Sequence, residues 1–195
     1  AHPTDDQYKA LGAAAASSGT VGLFHVVGRT PEAPTLNEAF QGRSGYPVIK
    51  VGMNDLRTAR AELSTGEGQQ VEMVVLGSPH FSMDEFRSLL PLIEGKRCNE
   101  NVDFLVTTGR LVKQVLESNG MIEDLSRFGA KLTVDTCPLA TPMMPDRVKT
   151  LMTNSGKYAY YSPSLLEVNT VYGSTLDCVE SAVRGRVVRD DSLWA

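Results

Sequence analysis

The sequence predicts an α/β fold: a three-layer domain with a mostly parallel sheet and helices on both of its faces. Short apolar runs rich in β-branched residues alternate with stretches of helical periodicity. The apolar runs end in glycine, proline or small polar residues, as strands do before a crossover helix. The chain has no internal repeat and no clear linker, so the prediction is a single α/β domain over residues 1–195.

Seven apolar runs are predicted strands. Each is bounded by turn-forming residues, and the run before Ser78 has the clearest buried pattern. The predicted strands are Thr20–Val27, Pro47–Val51, Val71–Gly77, Asp103–Thr108, Lys131–Asp135, Val148–Thr153 and Val168–Tyr172.

Six stretches are predicted helices, and local capping signals support two of them. Ser82 with Glu85, and Ser174 with Asp177, have the spacing of a capping box. A short loop is expected at 66–68, and the last residues form a tail. The predicted helices are 6–19, Asp55–Ser64, Met83–Ile93, Arg110–Ser118, Met121–Phe128 and Thr175–Arg184.

Composition indicates an ordinary globular chain. Of its 195 residues, 42% are hydrophobic and 22% charged, and the net charge is −4. This charge gives no reason to expect nucleic acid or a membrane surface as a partner. No apolar run approaches the roughly 20 residues that span a bilayer. Three cysteines without disulfide spacing favour a reducing, cytoplasmic compartment.

One octet, Asn154–Tyr161, combines an amide, a hydroxyl, a glycine, an ammonium group and three phenols. Gly156 permits a sharp turn, which would direct Ser155 and Lys157 towards an anionic ligand. A helix start with tyrosines packed into the core is the alternative. A nucleotide-triphosphate loop is excluded, because Leu151 stands where that motif needs glycine and Tyr158 where it needs serine or threonine.

Other chemically useful residues also follow predicted strands, where open parallel sheets bind ligands. Thr30 and Glu32 come after one strand, in what could equally be a plain connecting loop. His80 precedes a helix and is well placed for chemistry. His25 lies within a predicted strand and is expected to be a core histidine.

Two of the cysteines are candidate metal ligands. Cys137 follows a predicted strand, and Cys178 lies in the first turn of a predicted helix, where the helix dipole favours a thiolate. We expect the two to approach each other at one edge of the sheet. Two thiolates are too few for a whole iron–sulfur cluster. Cys98, after the end of a helix, is interpreted as incidental.

Several blocks together resemble the carboxyl-terminal half of the large subunit of the aconitase X family. They occur in the same order over nearly the whole chain. These blocks are Ala13–Ser17, Phe24–Gly28, Thr30–Ala33, Leu76–Ser82, Asp135–Cys137, Asn154–Tyr161 and Cys178–Val183.

The resemblance implies an aconitase-like fold and a hydro-lyase that acts on a small hydroxy acid. Cis-3-hydroxy-L-proline, converted to Δ1-pyrroline-2-carboxylate, is the expected substrate, and mevalonate 5-phosphate is the alternative. It also implies an iron–sulfur cluster held by Cys137, Cys178 and a third cysteine outside this chain. His80, Ser155 and Lys157 are the expected catalytic residues. Substrate contacts are expected from Thr30, Glu32, Asn154, Ser155, Gly156 and Lys157.

The implied partners are the amino-terminal half of the large subunit and a small swivelling domain. The chain is therefore expected to be a fragment of a larger polypeptide. A different class of function stays open: a non-catalytic scaffold that binds partner domains and never holds a metal.

Overall fold

The computed structural model describes residues 2–66 and 70–194, so positions 67 and 68 of the predicted loop lie outside the described residues. Five parallel strands form one sheet in the order β3-β2-β1-β4-β5. The strands are β1 (Met73–Phe81), β2 (Asp103–Thr108), β3 (Ala130–Val134), β4 (Thr150–Thr153) and β5 (Asn169–Tyr172).

Eight α-helices occur in the described part of the chain, followed by a short 3-10 turn at Ser192–Trp194. The helices before the sheet are α1 (Asp5–Gly19), α2 (Leu36–Ala39) and α3 (Met53–Glu62). The helices that connect or follow the strands are α4 (Met83–Ile93), α5 (Arg110–Ser118), α6 (Met121–Phe128), α7 (Gly156–Leu165) and α8 (Thr175–Arg184). Both predicted capping boxes form, at the starts of α4 and α8.

Two hydrophobic clusters cover the two faces of the sheet. Alternate strand residues point to opposite faces, so Val74 and Met152 belong to one cluster and Met73 and Leu151 to the other. Residues of α4, α5, α6 and α8 pack in the first cluster, whereas Tyr158 of α7 packs in the second. Helix α1 packs outside α7. These contacts give the predicted arrangement of helices on both faces.

A bulge interrupts the carboxyl end of β1. Leu76 pairs with Val106 and Phe81 with Thr108, so extra residues of β1 project beyond the ladder. Gly77 makes the bend possible with a φ of +92°, and a Cβ atom there would lie 2.2 Å from the carbonyl oxygen of Thr107. The bulge therefore lifts Ser78, Pro79 and His80 out of the sheet, towards its carboxyl edge.

Two sequence predictions fail before β1. Residues 20–27 and 47–51 are not strands, because neither segment has a strand partner among the described residues. His25 is exposed and lies 3.4 Å from the Thr30 hydroxyl, so the prediction of a core histidine is also wrong. The remaining predicted strands and helices form with shifts of a few residues at their ends.

The five strands and the helices that connect and follow them, residues 70–186, are here called the sheet unit, and its two ends lie side by side. The Val71 N–H donates a hydrogen bond to the Gly185 carbonyl oxygen at 3.2 Å, and Gln70 forms an antiparallel bridge with Arg186. The entry into β1 and the exit from α8 are thus held side by side.

Candidate functional site

The strand order has a switch point between β1 and β4. From β1 the chain runs outwards through β2 and β3, and it then returns to β4 on the other side. Open α/β sheets bind ligands outside the carboxyl ends of the strands at such a point, because the two flanking loops turn away in opposite directions. The residues there are the bulge around Ser78 and the turn from Asn154 to Lys157.

Ser155 joins these two loops. Its hydroxyl donates a hydrogen bond to the carbonyl oxygen of Ser78 and accepts one from the Tyr158 N–H at 3.1 Å. It is the N-cap of α7 and is buried. The Ser155 hydroxyl proton is therefore engaged in the hydrogen bond to Ser78, so Ser155 acts as a positioning residue in this structure.

Lys157 lies in the first turn of α7 and is half-buried. Within residues 2–66 and 70–194, its ammonium group has no hydrogen bond or salt bridge. In the same part of the chain, the backbone N–H groups of Gly156 and Lys157 also lack acceptors. A cation beside free N–H groups at a helix N-terminus favours an anion, because the helix dipole adds to the charge. This turn can bind a carboxylate.

A cavity of about 620 Å³ opens beside the switch point, between the starts of α1, α4 and α8. Asn154 lines it and donates a hydrogen bond from Nδ2 to the Thr175 hydroxyl at 3.0 Å. Four carboxylates contribute to the lining, those of Asp5, Asp6, Asp84 and Glu85. Three of them are in salt bridges: Asp6 and Glu85 with Lys9, and Asp84 with Arg87.

Helix α1 is fixed to this edge by Lys9. Its ammonium group contacts Asp6 at 2.8 Å, Glu85 at 2.5 Å and the His80 carbonyl oxygen at 3.0 Å. The Ser82 hydroxyl also donates to Asp6 at 2.6 Å. Burial alone would raise the pKa of Asp6, but the bonds from Lys9 and Ser82 outweigh it and hold that pKa below its ordinary value.

Asp135, which the sequence analysis did not select, lies near His80. It adopts a left-handed conformation with a φ of 58° directly after β3, a sparsely populated region for a residue with a side chain. Its carboxylate pairs with the Arg110 guanidinium, and hydrogen bonds from Arg110 lower its pKa, with a smaller contribution from His80. The sequence signal that could have identified Asp135 was its position at a strand end, close to Cys137.

Thr30 and Glu32 lie in a turn before β1. The Ala33 N–H donates to the Thr30 carbonyl oxygen at 2.9 Å, and Glu32 is exposed. No described hydrogen bond or salt bridge links this turn to the Ser155 loop. The expected substrate contacts of Thr30 and Glu32 stay predictions.

Cys137 and Cys178 follow the two outermost strands, β3 and β5. Cys137 is half-exposed and lies near the Tyr158 phenol: burial, and then the charge of Cys137, raise the pKa of Tyr158. Cys178 is fully buried in the cluster that contains Met152. Their predicted approach, and their predicted roles as metal ligands, stay predictions.

In this structure, burial opposes the thiolate that the helix position of Cys178 favours. Burial raises the pKa of the Cys178 thiol well above its ordinary value, and the Asp177 carboxylate adds to the effect. The Cys178 N–H is already bonded to the Ser174 carbonyl oxygen at 3.0 Å, so it cannot stabilise the sulfur. Cys98 is also buried enough to raise its pKa to about 11, as expected of an inert packed thiol.

Two family models match the chain. The aconitase X second-domain model matches residues 1–61, and the aconitase X third-domain model matches residues 71–184. The chain belongs to the aconitase X family. Its sheet is similar to that in the crystal structure of Thermococcus kodakaraensis aconitase X (holo-form), with a TM-score of 0.79 and 26% identity over 92% of this chain and 44% of that one. The predicted family and the predicted aconitase-like α/β fold are confirmed.

Relatives of this aconitase X chain are named as dehydratases. It is 42% identical to the cis-3-hydroxy-L-proline dehydratase of Pseudomonas aeruginosa over 98% of its own length. It is 31% identical to the phosphomevalonate dehydratase large subunit of Methanosarcina mazei over 94% of its length. The chain spans 33% of the first protein and 43% of the second. The single-domain prediction for residues 1–195 stays a prediction.

The iron–sulfur cluster implied by the family does not fit the described residues alone. In ranges 2–66 and 70–194, no three histidine, cysteine, aspartate or glutamate side chains form a group that could hold a metal ion. Cys178 lies in an apolar core, and Cys137 is a single half-exposed thiol. Within the same ranges, no helix has the length and apolarity needed to span a membrane.

Proposed function

We propose that this chain is a component of a hydro-lyase that dehydrates cis-3-hydroxy-L-proline to Δ1-pyrroline-2-carboxylate. The observation that carries the proposal is 42% identity, over nearly the whole chain, to a protein with that dehydratase name. The unpaired Lys157 at the switch point supports the same conclusion, because the substrate carries a carboxylate. The chain contributes the carboxyl-edge surface, and partner domains complete the site.

Dehydration removes the proton on the carbon next to the carboxylate and expels the hydroxyl group of the neighbouring carbon, which takes up a proton and leaves as water. The C2=C3 double bond formed in this way becomes that of Δ1-pyrroline-2-carboxylate when the ring N–H proton moves to C3. Negative charge develops on the carboxylate as the proton leaves. Lys157 and the free N–H groups at the start of α7 hold that carboxylate and stabilise the developing charge. His80, exposed beside Asp135, is the candidate base that accepts the proton. Ser155 keeps the Lys157 turn in register with the loop that carries His80.

The charges at the carboxyl edge favour the amino acid over the phosphorylated alternative. Cis-3-hydroxy-L-proline has a ring ammonium group, which the Asp5 carboxylate in the cavity can attract, whereas Asp6, Asp84 and Glu85 are in salt bridges with Lys9 and Arg87. Two of the basic residues available for a phosphate are also engaged elsewhere. Arg110 pairs with Asp135, and Arg29 lies 3.3 Å from the ring of His2.

The test is turnover by the full-length protein that contains this chain. Product formation is measured by mass spectrometry with cis-3-hydroxy-L-proline and, separately, with mevalonate 5-phosphate. Dehydration of the first compound alone is expected, and residues 1–195 on their own should be inactive. Dehydration of mevalonate 5-phosphate alone would overturn the assignment of cis-3-hydroxy-L-proline as the substrate. No turnover of either by the metal-loaded full-length protein would overturn the enzyme proposal and favour the scaffold.

A further inference from the structure

The part of the chain before the sheet has almost no core of its own. In residues 2–66, Ala33 is the one buried hydrophobic residue, whereas the sheet unit buries apolar residues on both of its faces. A segment of this length cannot hold one structure without burying apolar surface, because chain ordering has to be offset. Its apolar side chains therefore need a covering surface from elsewhere.

Three of the five most exposed large apolar side chains among the described residues lie together in residues 46–51, here called the uncovered segment. Val48 is 75% exposed, Ile49 85% and Val51 67%. Alternate residues of an extended chain point to opposite sides, so Val48 and Ile49 leave both sides of the segment uncovered. Scattered exposed apolar residues are ordinary, but three β-branched ones in four positions form a patch.

The backbone of the uncovered segment is unpaired as well. Among the described residues, no backbone hydrogen bond from the N–H groups of residues 46–51 is formed, and the segment belongs to no sheet. Its sequence, Tyr-Pro-Val-Ile-Lys-Val, nevertheless has the composition of a strand. An apolar, β-prone segment with free backbone groups is a template for strand pairing.

We propose that the uncovered segment is a strand of a sheet completed by the part of the enzyme that lies outside these 195 residues. That part is large, because the chain spans 33% of its Pseudomonas aeruginosa relative and 43% of the Methanosarcina mazei large subunit. Residues 1–61 match the second-domain model, so the sheet that contains the uncovered segment belongs to that domain. The proposal rests on family membership and is independent of the reaction or substrate.

The proposal is tested in the full-length protein with a photo-crosslinker. p-Benzoylphenylalanine replaces Ile49, and in a matched control it replaces Leu111, which is 72% exposed on α5 of the sheet unit. After irradiation, crosslinked peptides are identified by mass spectrometry. The probe at position 49 is expected to react with a peptide from outside residues 1–195, at least about tenfold more than the probe at position 111.

Hydrogen exchange of the unmodified full-length protein gives a second readout that needs no substitution. Amides of residues 48–51 are expected to be protected at least about a hundredfold, as in a paired strand. Three results would overturn the proposal: a crosslink within residues 2–194 of the same chain, a crosslink to a second copy that disappears on dilution, or unprotected amides without a crosslink. Loss of dehydratase activity bears on none of these readouts.

Discussion

The Ser155 hydroxyl donates a hydrogen bond to the carbonyl oxygen of Ser78, and this contact joins residues 77 positions apart. It ties the first turn of α7 to the bulge of β1 across the switch point. The same oxygen caps the helix through the Tyr158 N–H. One side chain thus sets the spacing between the two loops that form the candidate site.

Ser155→Ala removes the helix cap and leaves the Ser78 carbonyl without this donor. We expect the free energy of unfolding to fall by about 1–3 kcal/mol, because a lost cap and an unsatisfied buried acceptor both destabilise. Urea unfolding of the full-length protein measures the change. Ser155→Thr retains a capping hydroxyl and should recover most of the loss. Ser164→Ala, at an exposed serine of the same helix, should change stability by less than about 0.5 kcal/mol.

Lys157→Ala tests the proposed carboxylate contact. In the complete enzyme, kcat/KM is expected to fall at least about tenfold, or about 1.4 kcal/mol of lost transition-state stabilisation, because the developing charge loses its cation. Lys149→Ala is the matched control, since Lys149 is exposed just before β4, at the opposite edge of the sheet. If both variants keep wild-type kinetics, Lys157 has no part in substrate binding.

Tyr158→Phe tests a buried hydroxyl. The Tyr158 side chain is fully buried, and its hydroxyl has no hydrogen-bond partner among the described residues. Removing an unpaired buried polar group is expected to raise the free energy of unfolding by about 1 kcal/mol. Tyr160→Phe, on the exposed side of α7, should have no measurable effect. A loss of more than about 1 kcal/mol on Tyr158→Phe would mean that the hydroxyl is bonded in the full-length protein.

The Lys9 contacts predict how α1 responds to pH. The pKa of Asp6 is lowered in the folded protein, so its contribution is present above its ordinary value of 3.8 and is lost as the pH falls through the folded pKa. Burial opposes the charge of Lys9, but bonds to Asp6 and Glu85 raise its pKa above 10.5. Its contribution is present below pH 10.5 and is lost as the pH rises through the folded value.

Chemical unfolding of the full-length protein from pH 2.5 to 11.5 measures this dependence. Lys9→Met should lower stability at neutral pH, and it should flatten the profile at both ends because the shifted groups lose their partner. Lys113→Met, which breaks an exposed i,i+4 pair on α5, is the control and should leave the shape of the profile unchanged. A Lys9→Met profile parallel to the wild type would contradict the assignment.

Local signals made the sheet unit predictable. Capping boxes mark the helices after β1 and β5, and amphipathic periodicity marks the helix after β2; both signals span only a few positions, so these helices follow directly from the sequence. Residues 20–27 and 47–51 have a strand composition too. Composition alone does not form a strand, because a strand also needs a neighbour to pair with.

The site was predictable only in outline. The rule that ligands bind at strand ends located Ser155, Lys157 and His80 correctly at the carboxyl edge. It could not reveal which loops meet there, because strand order depends on contacts distant in sequence. The same limit applies to the cysteines: both follow strands, but those strands are the two outermost ones of the sheet.

The hydrogen bond between Val71 and Gly185 has a consequence for how this architecture can be rearranged. A unit whose first and last residues are neighbours can be cut out, inserted into another protein or circularly permuted without disturbing its interior, since a short linker spans the gap. The bridge between Gln70 and Arg186 holds the two ends of the doubly wound sheet together. We therefore expect the flanking polypeptide to be able to change in length, or to become a separate chain, while the sheet keeps its strand order.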